Sequence, residues 1–285
     1  MINLNINEGL IKEDINLEEF IDFDPTFISR YLIIAVILKN YQSSQGIKKL
    51  RVLDVGGSGS LLNKFIETDL TIIDILPNSN SLPNYIEGSA LEMPFENNSF
   101  DVVISCDVLE HIKASDRPAF LIESSRVTKD LMITAAPFNL TGVRDAEISA
   151  NNFFKKMQGE DHRWLTEHLL DELPDLLETK KTLKDIKMNV EHFSHTSLDY
   201  WQLITRCGFL LLQKPIHPEF VEIIQQLNKY YLSKIMKIDF SDTGYRSFVV
   251  SSKLNKVNIL KEKDILSNNL ENVFTLMTDS ILKLL

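Results

Sequence analysis

Cysteine is scarce: Cys106 and Cys207 are the only two in 285 residues. Two cysteines give no disulfide framework and show no metal-ligand spacing. Cys106 stands in an apolar run and reads as a small buried residue rather than a nucleophile. Basic residues are in deficit, with 30 Lys and Arg against 40 Asp and Glu and a formal net charge of −10. Binding a phosphate backbone needs a basic footprint, so nucleic acid is not an expected partner. Long hydrophobic runs are missing as well. The stretch from Tyr31 to Leu38 is too short to cross a bilayer, so no membrane span is expected. The opening Met1-Ile2-Asn3-Leu4-Asn5 lacks the basic and apolar regions of a signal peptide, and the expectation is a cytoplasmic enzyme.

What is present suits a full α/β core: 44% hydrophobic and 25% charged residues are the proportions of an ordinary globular chain. Residues 18–44 read as a helical lead-in, with Phe20, Phe23, Phe27 and Tyr31 at helical spacing and Pro25 interrupting or starting a helix. From residue 50 the pattern alternates between strands and helices. Strands are expected at Leu50–Val55, Leu70–Ile75, Tyr85–Gly88, Phe100–Cys106 and Leu131–Ala135, with a clear helix at Arg117–Thr128. Residues 138–195 break the rhythm with charge, four of the six histidines and an amphipathic piece at Trp164–Leu177, and read as an insertion covering one end of the sheet. A helix at Ser197–Arg206, a stop at Cys207-Gly208 and a strand at Phe209–Gln213 follow. A helical insertion at Pro218–Ile238 then precedes a last strand, Tyr245–Ser252, antiparallel to its neighbour at the sheet edge. Residues 255–285 read as an exposed loop and a terminal helix at Asp264–Leu285.

The stretch Arg51-Val52-Leu53-Asp54-Val55-Gly56-Gly57-Ser58-Gly59-Ser60 carries the most information. A short strand ends in a carboxylate and small residues before a helical pattern begins, the unit that holds a nucleotide-like ligand in doubly wound folds. Glycine lets the backbone approach a ligand that any Cβ would push away. Asp54 would repel a pyrophosphate and attract a cation, so the loop calls for a ligand with positive charge and little phosphate. Three further strand ends fall in order: Asp74 with Ile75, then Ser89-Ala90-Leu91, then Cys106-Asp107-Val108-Leu109-Glu110-His111. In an open α/β sheet these ends converge on one rim. An acid ending the second strand is placed to take two ribose hydroxyls, and the Ser89-Ala90-Leu91 turn to pack an adenine.

With these residues, and with the segments Ala90-Leu91-Glu92-Met93-Pro94-Phe95 and Phe100-Asp101-Val102-Val103-Ile104-Ser105, the chain resembles the class I S-adenosylmethionine-dependent methyltransferases. The resemblance covers Leu50 to Pro137. It implies a doubly wound α/β fold whose mostly parallel seven-stranded sheet has an antiparallel last strand and a helical insertion after strand five. It implies a lead-in at 1–45, a donor-binding domain at 46–253 with insertions at 138–195 and 218–238, and a C-terminal helical extension at 254–285. It further implies that Asp54, Gly56, Gly57, Ser58 and Gly59 hold the methionine moiety and that Asp74, with Ile75, holds the ribose. Ser89, Ala90 and Leu91 would meet the adenine, and Cys106, Asp107 and Val108 would run beneath the ligand. The family usually places glycine at alternate positions after the acid; here these positions are Gly56, Ser58 and Ser60, with Gly57 and Gly59 between, so an altered loop is expected.

The implied reaction is transfer of an activated sulfonium methyl group to a metabolite, sugar or lipid-linked acceptor, with S-adenosylmethionine as cofactor and no metal required. A hydroxyl or ammonium acceptor needs a base, for which His111 and then His162 are the candidates. His162, His168, His192 and His195 share no tight ligand spacing beyond the loose His192–His195 pair, so no metal site is expected. Phe138, Phe153, Phe154 and Trp164 read equally as an acceptor pocket or as the insertion's own core. The acidic balance favours a polar or cationic acceptor. Cys106-Asp107-Val108-Leu109 stands where an Asn-Pro-Pro-Tyr motif for base or glutamine amines would fall, which lowers macromolecular amine acceptors. Two alternatives are a non-catalytic donor-binding protein and, more remotely, an NAD-dependent oxidoreductase, whose Gly-x-Gly-x-x-Gly spacing is not supplied.

Overall fold

A computed structural model of the chain describes residues 2–5, 16, 19–79, 81–213, 216, 218–241 and 243–260. The terminal helix expected at Asp264–Leu285 lies outside the described residues.

Helix α1 (Pro25–Gln45) starts where the sequence provides a cap: the Asp24 side chain accepts from the Thr26 N–H at 2.7 Å, Pro25 occupies the first turn, and Gly46 ends the helix at φ 64°. Its apolar stretch from Tyr31 to Leu38 is buried on every side, because the sheet covers one face and later helices cover the other. Strands β2 (Arg51–Val55), β3 (Asp69–Asp74), β4 (Tyr85–Glu87), β5 (Phe100–Cys106) and β6 (Thr128–Pro137) pair in parallel. The short helix α2 (Leu62–Phe65) follows β2, and α3 (Arg117–Val127) precedes β6. Alternation along β5 sends Val102, Ile104 and Cys106 to the core under α1, while Val103 joins Phe120 and Leu121 of α3 on the opposite face.

After β6 the chain inserts α4 (Val143–Gln158), α5 (Arg163–Asp171) and α6 (Leu176–Asp185), then β7 (Asn189–His195). Helix α7 (Leu198–Leu211), helix α8 (Pro218–Tyr230), a two-residue strand β8 (Phe240–Ser241) and β9 (Arg246–Ser252) complete the sheet in the order β4-β3-β2-β5-β6-β9-β7-β8. The seven principal strands form the mostly parallel sheet expected, with β9 antiparallel to both of its neighbours.

The sixth strand is not where the sequence reading put it. Residues 209–211 end α7, and the strand is Asn189–His195. The apolar run Phe209-Leu210-Leu211-Leu212 fits either period. Tyr200, Ile204, Cys207 and Leu210 continue one buried helical face through the expected stop at Cys207-Gly208, whereas β7 hides its strand character behind buried Ser194 and His195. Residues 257–260, expected as loop, form β10 (Val257–Leu260), which pairs in parallel with β1 (Ile2–Asn5).

Candidate functional site

The strand ends open into one cavity of about 890 Å3. Gly56, Ser58, Gly59, Asp74, Ile75, Cys106, Asp107, Val108, His111 and His162 line it, together with side chains from α1, α5, α7, α8 and the start of β9. Ser89, Ala90 and Leu91 lie outside this lining, on the turn after β4; Leu91 is exposed.

The loop after β2 owes its glycines to close contacts within the protein. Gly56 has φ 74°, and a Cβ there would collide with Val108 Cγ2; a Cβ on Gly57 would collide with the Asp54 carboxylate. Gly57 thus makes room for Asp54 rather than for the ligand. Asp54 does not line the cavity: it is fully buried beneath the loop and accepts from the Tyr31 hydroxyl at 3.3 Å. Burial pushes its carboxyl from 3.8 up to about 7, against the opposing pull of the Ser60 and Tyr31 hydroxyls and Arg30. Asp74 reaches across to the same loop, accepting from Ser58 N–H at 3.2 Å and from Leu76 N–H at 2.9 Å.

Past β5 the chain turns at Asp107, whose φ is 55°, into a 3-10 turn at Leu109–His111. The Asp107 carboxylate accepts from Arg246 Nε and Nη2 at 2.6 Å each and also from Arg30 Nη1. Burial raises the acid's proton affinity, but Arg246 and Arg30 outweigh it and hold the carboxyl well below the usual range. Two guanidinium groups and one carboxylate leave one positive charge in excess at the cavity floor. The antiparallel course of β9 explains this meeting: its first residue, Arg246, stands opposite Pro137 and His195 at the rim where the parallel strands end.

Beside this floor lies a second polar cluster. His168 Nδ1 meets Glu147 Oε1 at 2.9 Å, and the same oxygen accepts from Tyr245 Oη at 2.9 Å. His111 Nδ1 lies 3.2 Å from Glu167 Oε2, and its ring stands 4.9 Å from that of His168. Glu110 is buried in the same turn, and burial, then Asp107, push its carboxyl up. Burial, then His168, lower the proton affinity of His111. His162 sits apart at the start of α5, where it caps Leu165 N–H at 3.4 Å and stands against Phe154 and Phe209. The loose His192–His195 pair separates, because residues three apart on β7 face opposite ways: His192 meets Lys180 Nζ, and His195 bonds Met236 O and Thr196 Oγ1. Of the four aromatic residues, Phe154 joins the insertion's core, Phe138 joins the main core, Phe153 packs between cores and Trp164 lines the cavity.

Several cavity residues escaped the sequence reading. Arg30 and Arg246 were visible only as lone cations within apolar segments, and Glu110 and His168 carried no pattern linking them. Gly208 was read as a helix stop; it stays helical and leaves open space in the cavity wall.

Residues 53–131, from β2 into β6, match the family model described as a methyltransferase domain. Among solved structures, an S-adenosylmethionine-dependent methyltransferase from Archaeoglobus fulgidus is 15% identical, with a TM-score of 0.45 over 78% of this chain and 94% of that one. The YcgJ protein from Bacillus subtilis is 13% identical, with a TM-score of 0.42 over 73% of this chain and 93% of that one. No curated protein matches the chain. The sheet and its rim define a Rossmann-like donor-binding fold. The match over residues 53–131 supports a class I S-adenosylmethionine-dependent methyltransferase, for which S-adenosylmethionine is the implied cofactor.

Proposed function

We propose that this enzyme methylates a small or medium-sized acceptor, a metabolite, sugar or lipid-linked intermediate, seated in the cavity between the donor loop and helices α5, α7 and α8. The observation that carries the reading is the continuity of one cavity from Gly56, Ser58, Gly59 and Asp74 to Trp164, Trp201 and Ile224. Among the described residues no helix is long and apolar enough to cross a membrane.

When bound, S-adenosylmethionine supplies a methyl group already activated by its sulfonium charge. In this reading Gly56, Gly57, Ser58 and Gly59 hold the methionine moiety through their backbone, with Asp54 buttressing the loop from below. Asp74, with Ile75, takes the ribose hydroxyls, releasing Ser58 N–H to the ligand, and Ser89-Ala90-Leu91 flanks the adenine from outside the main cavity. Cys106, Asp107 and Val108 form the floor, and the excess positive charge of Arg30 and Arg246 attracts the methionine carboxylate. The insertion's His162, Trp164 and Leu165 exclude water from the acceptor. A proton lost by the acceptor leaves through the corner occupied by His111, while His162, engaged as a helix cap, positions α5. Holding both reactants in line supplies roughly 7–11 kcal/mol of the barrier.

The test is a cell extract incubated with the enzyme and methyl-labelled S-adenosylmethionine, read by mass spectrometry. Label should enter a low-mass acceptor with matching release of S-adenosylhomocysteine. Label confined to protein or nucleic acid would overturn the acceptor reading, and NAD raising the melting temperature where S-adenosylhomocysteine does not would overturn the donor site.

A further inference from the structure

Four buried atoms on cavity-lining residues have no hydrogen-bond partner among the described residues: Arg30 Nε, Asn228 Oδ1 and, next to one another, Glu110 Oε2 and His168 Nε2, the last two on residues 1% and 5% exposed. A buried polar group without a partner destabilises the fold. Two that lie side by side call for something that completes both. One ligand atom from each of Glu110, His111 and His168 lies within 4.8 Å of the others. An ion about 2.0–2.2 Å from each of several tetrahedral ligands holds them about 3.5 Å apart, so the cluster closes by about 1 Å to take one.

Both imidazoles are held at Nδ1 by a carboxylate. Glu147 engages His168 Nδ1 at 2.9 Å, and Glu167 engages His111 Nδ1 at 3.2 Å. Donation of Nδ1–H to a carboxylate selects the tautomer whose Nε2 keeps its lone pair, the arrangement found behind metal-bound histidines. The Tyr245 hydroxyl fixes Glu147 in turn. Arg117 ties the pieces together: its Nε donates to Leu109 O and Ile112 O around the turn bearing Glu110 and His111, and its Nη2 donates to Glu172 O at 2.5 Å beyond α5, the helix bearing His168.

We infer that Glu110, His111 and His168 bind one divalent transition-metal ion in the cavity wall, with coordination positions left open to the acceptor. Two imidazoles and one carboxylate suit zinc, manganese, iron or cobalt better than magnesium or calcium, which prefer oxygen ligands. The sequence reading expected no metal because it compared histidines with one another, whereas this ligand set joins one insertion histidine to two neighbours in the turn after β5.

The ion's role rests on the methyltransferase reading; its binding does not. An acceptor hydroxyl on an open position gives up its proton to solvent more readily. The oxygen's electron pair then forms the bond to the methyl carbon, while the pair of the breaking carbon–sulfur bond stays on sulfur. No electron is exchanged, and the acceptor class is an oxygen nucleophile.

The test measures metal uptake by the full chain without donor or acceptor, using Zn2+ in equilibrium dialysis and Co2+ absorption to report nitrogen ligation. One ion per chain is expected, bound at least 10-fold more weakly by Glu110→Gln and His168→Gln, and 10- to 100-fold more weakly by Glu147→Gln and Glu167→Gln. His192→Gln on β7 serves as the off-site control and binds as the unaltered protein does. Less than one ion per chain, or unchanged affinity in the Glu110 and His168 variants, overturns the inference. If those buried variants do not fold, Glu167→Gln decides, since its side chain is 38% exposed; unchanged affinity there overturns the inference equally. S-adenosylhomocysteine binding, measured with chelator present, separates the two proposals. Metal uptake without it removes the donor reading alone, and binding without metal uptake removes the ion alone.

Discussion

Arg246 holds the Asp107 carboxylate through two hydrogen bonds of 2.6 Å from a position 139 residues further along the chain. Arg246 is buried, and breaking a buried pair leaves a charge that water cannot reach. Arg246→Met is expected to destabilise the protein by about 3 kcal/mol in urea unfolding. Asp107→Asn added to it should cost less than the two single changes summed, because asparagine tolerates the φ of 55° and no longer needs the cation. Additive losses would show that the two residues are not coupled.

Gly56→Ala should displace the loop, lowering both stability and ligand affinity. A methyl group there meets Val108 Cγ2 and sits on a backbone at φ 74°, a strain of about 1–3 kcal/mol. S-adenosylhomocysteine affinity by calorimetry is expected to fall at least 10-fold, while circular dichroism still shows a folded chain. Unaltered affinity would remove the loop from the donor site.

Asp54 gives the ligand-free protein a pH dependence. Its carboxyl titrates near 7 when folded and near 3.8 ordinarily, so the native state favours the protonated form. The associated stability is complete below about pH 4 and is lost as pH rises to about 7, a total of roughly 4 kcal/mol. Asp54→Asn should flatten this component, so unfolding free energies at pH 5 and pH 8 should differ less in the variant than in the unaltered protein. Parallel pH curves would show that the carboxyl is not perturbed.

Arg117→Met should loosen the junction between the turn at Leu109–His111 and α5. It orphans carbonyls of Leu109, Ile112 and Glu172 that the guanidinium now satisfies; the buried Leu109 bond alone is worth about 1–3 kcal/mol, and the two partly buried ones add less each. Limited proteolysis near residues 171–175 should accelerate, and unchanged cleavage would place the clamp elsewhere.

The strands from β2 to β6 were legible because parallel strands buried on both faces read as continuous apolar runs, and their polar ends mark one rim. Asp54, Gly56 and Asp74 were placed at or near that rim on that basis. Strand β7 was missed because its buried Ser194 and His195 are satisfied by partners far along the chain, Ser247 and Met236, which no local pattern reveals. Arg30 and Arg246 were missed for a related reason: a charge inside an apolar segment acquires meaning only when its counter-charge is seen.

The sequence by itself determined the alternating strand–helix order and the glycine loop with its acid. These follow from local rules of periodicity and backbone conformation. Only the tertiary structure decided that Asp54 lies beneath the loop rather than in the cavity lining. It alone brought Arg30, Asp107 and Arg246 into one ion cluster and set Glu110, His111 and His168 around a common point. Such groupings depend on where distant elements pack, and the burial that makes their charges consequential is a property of the folded core.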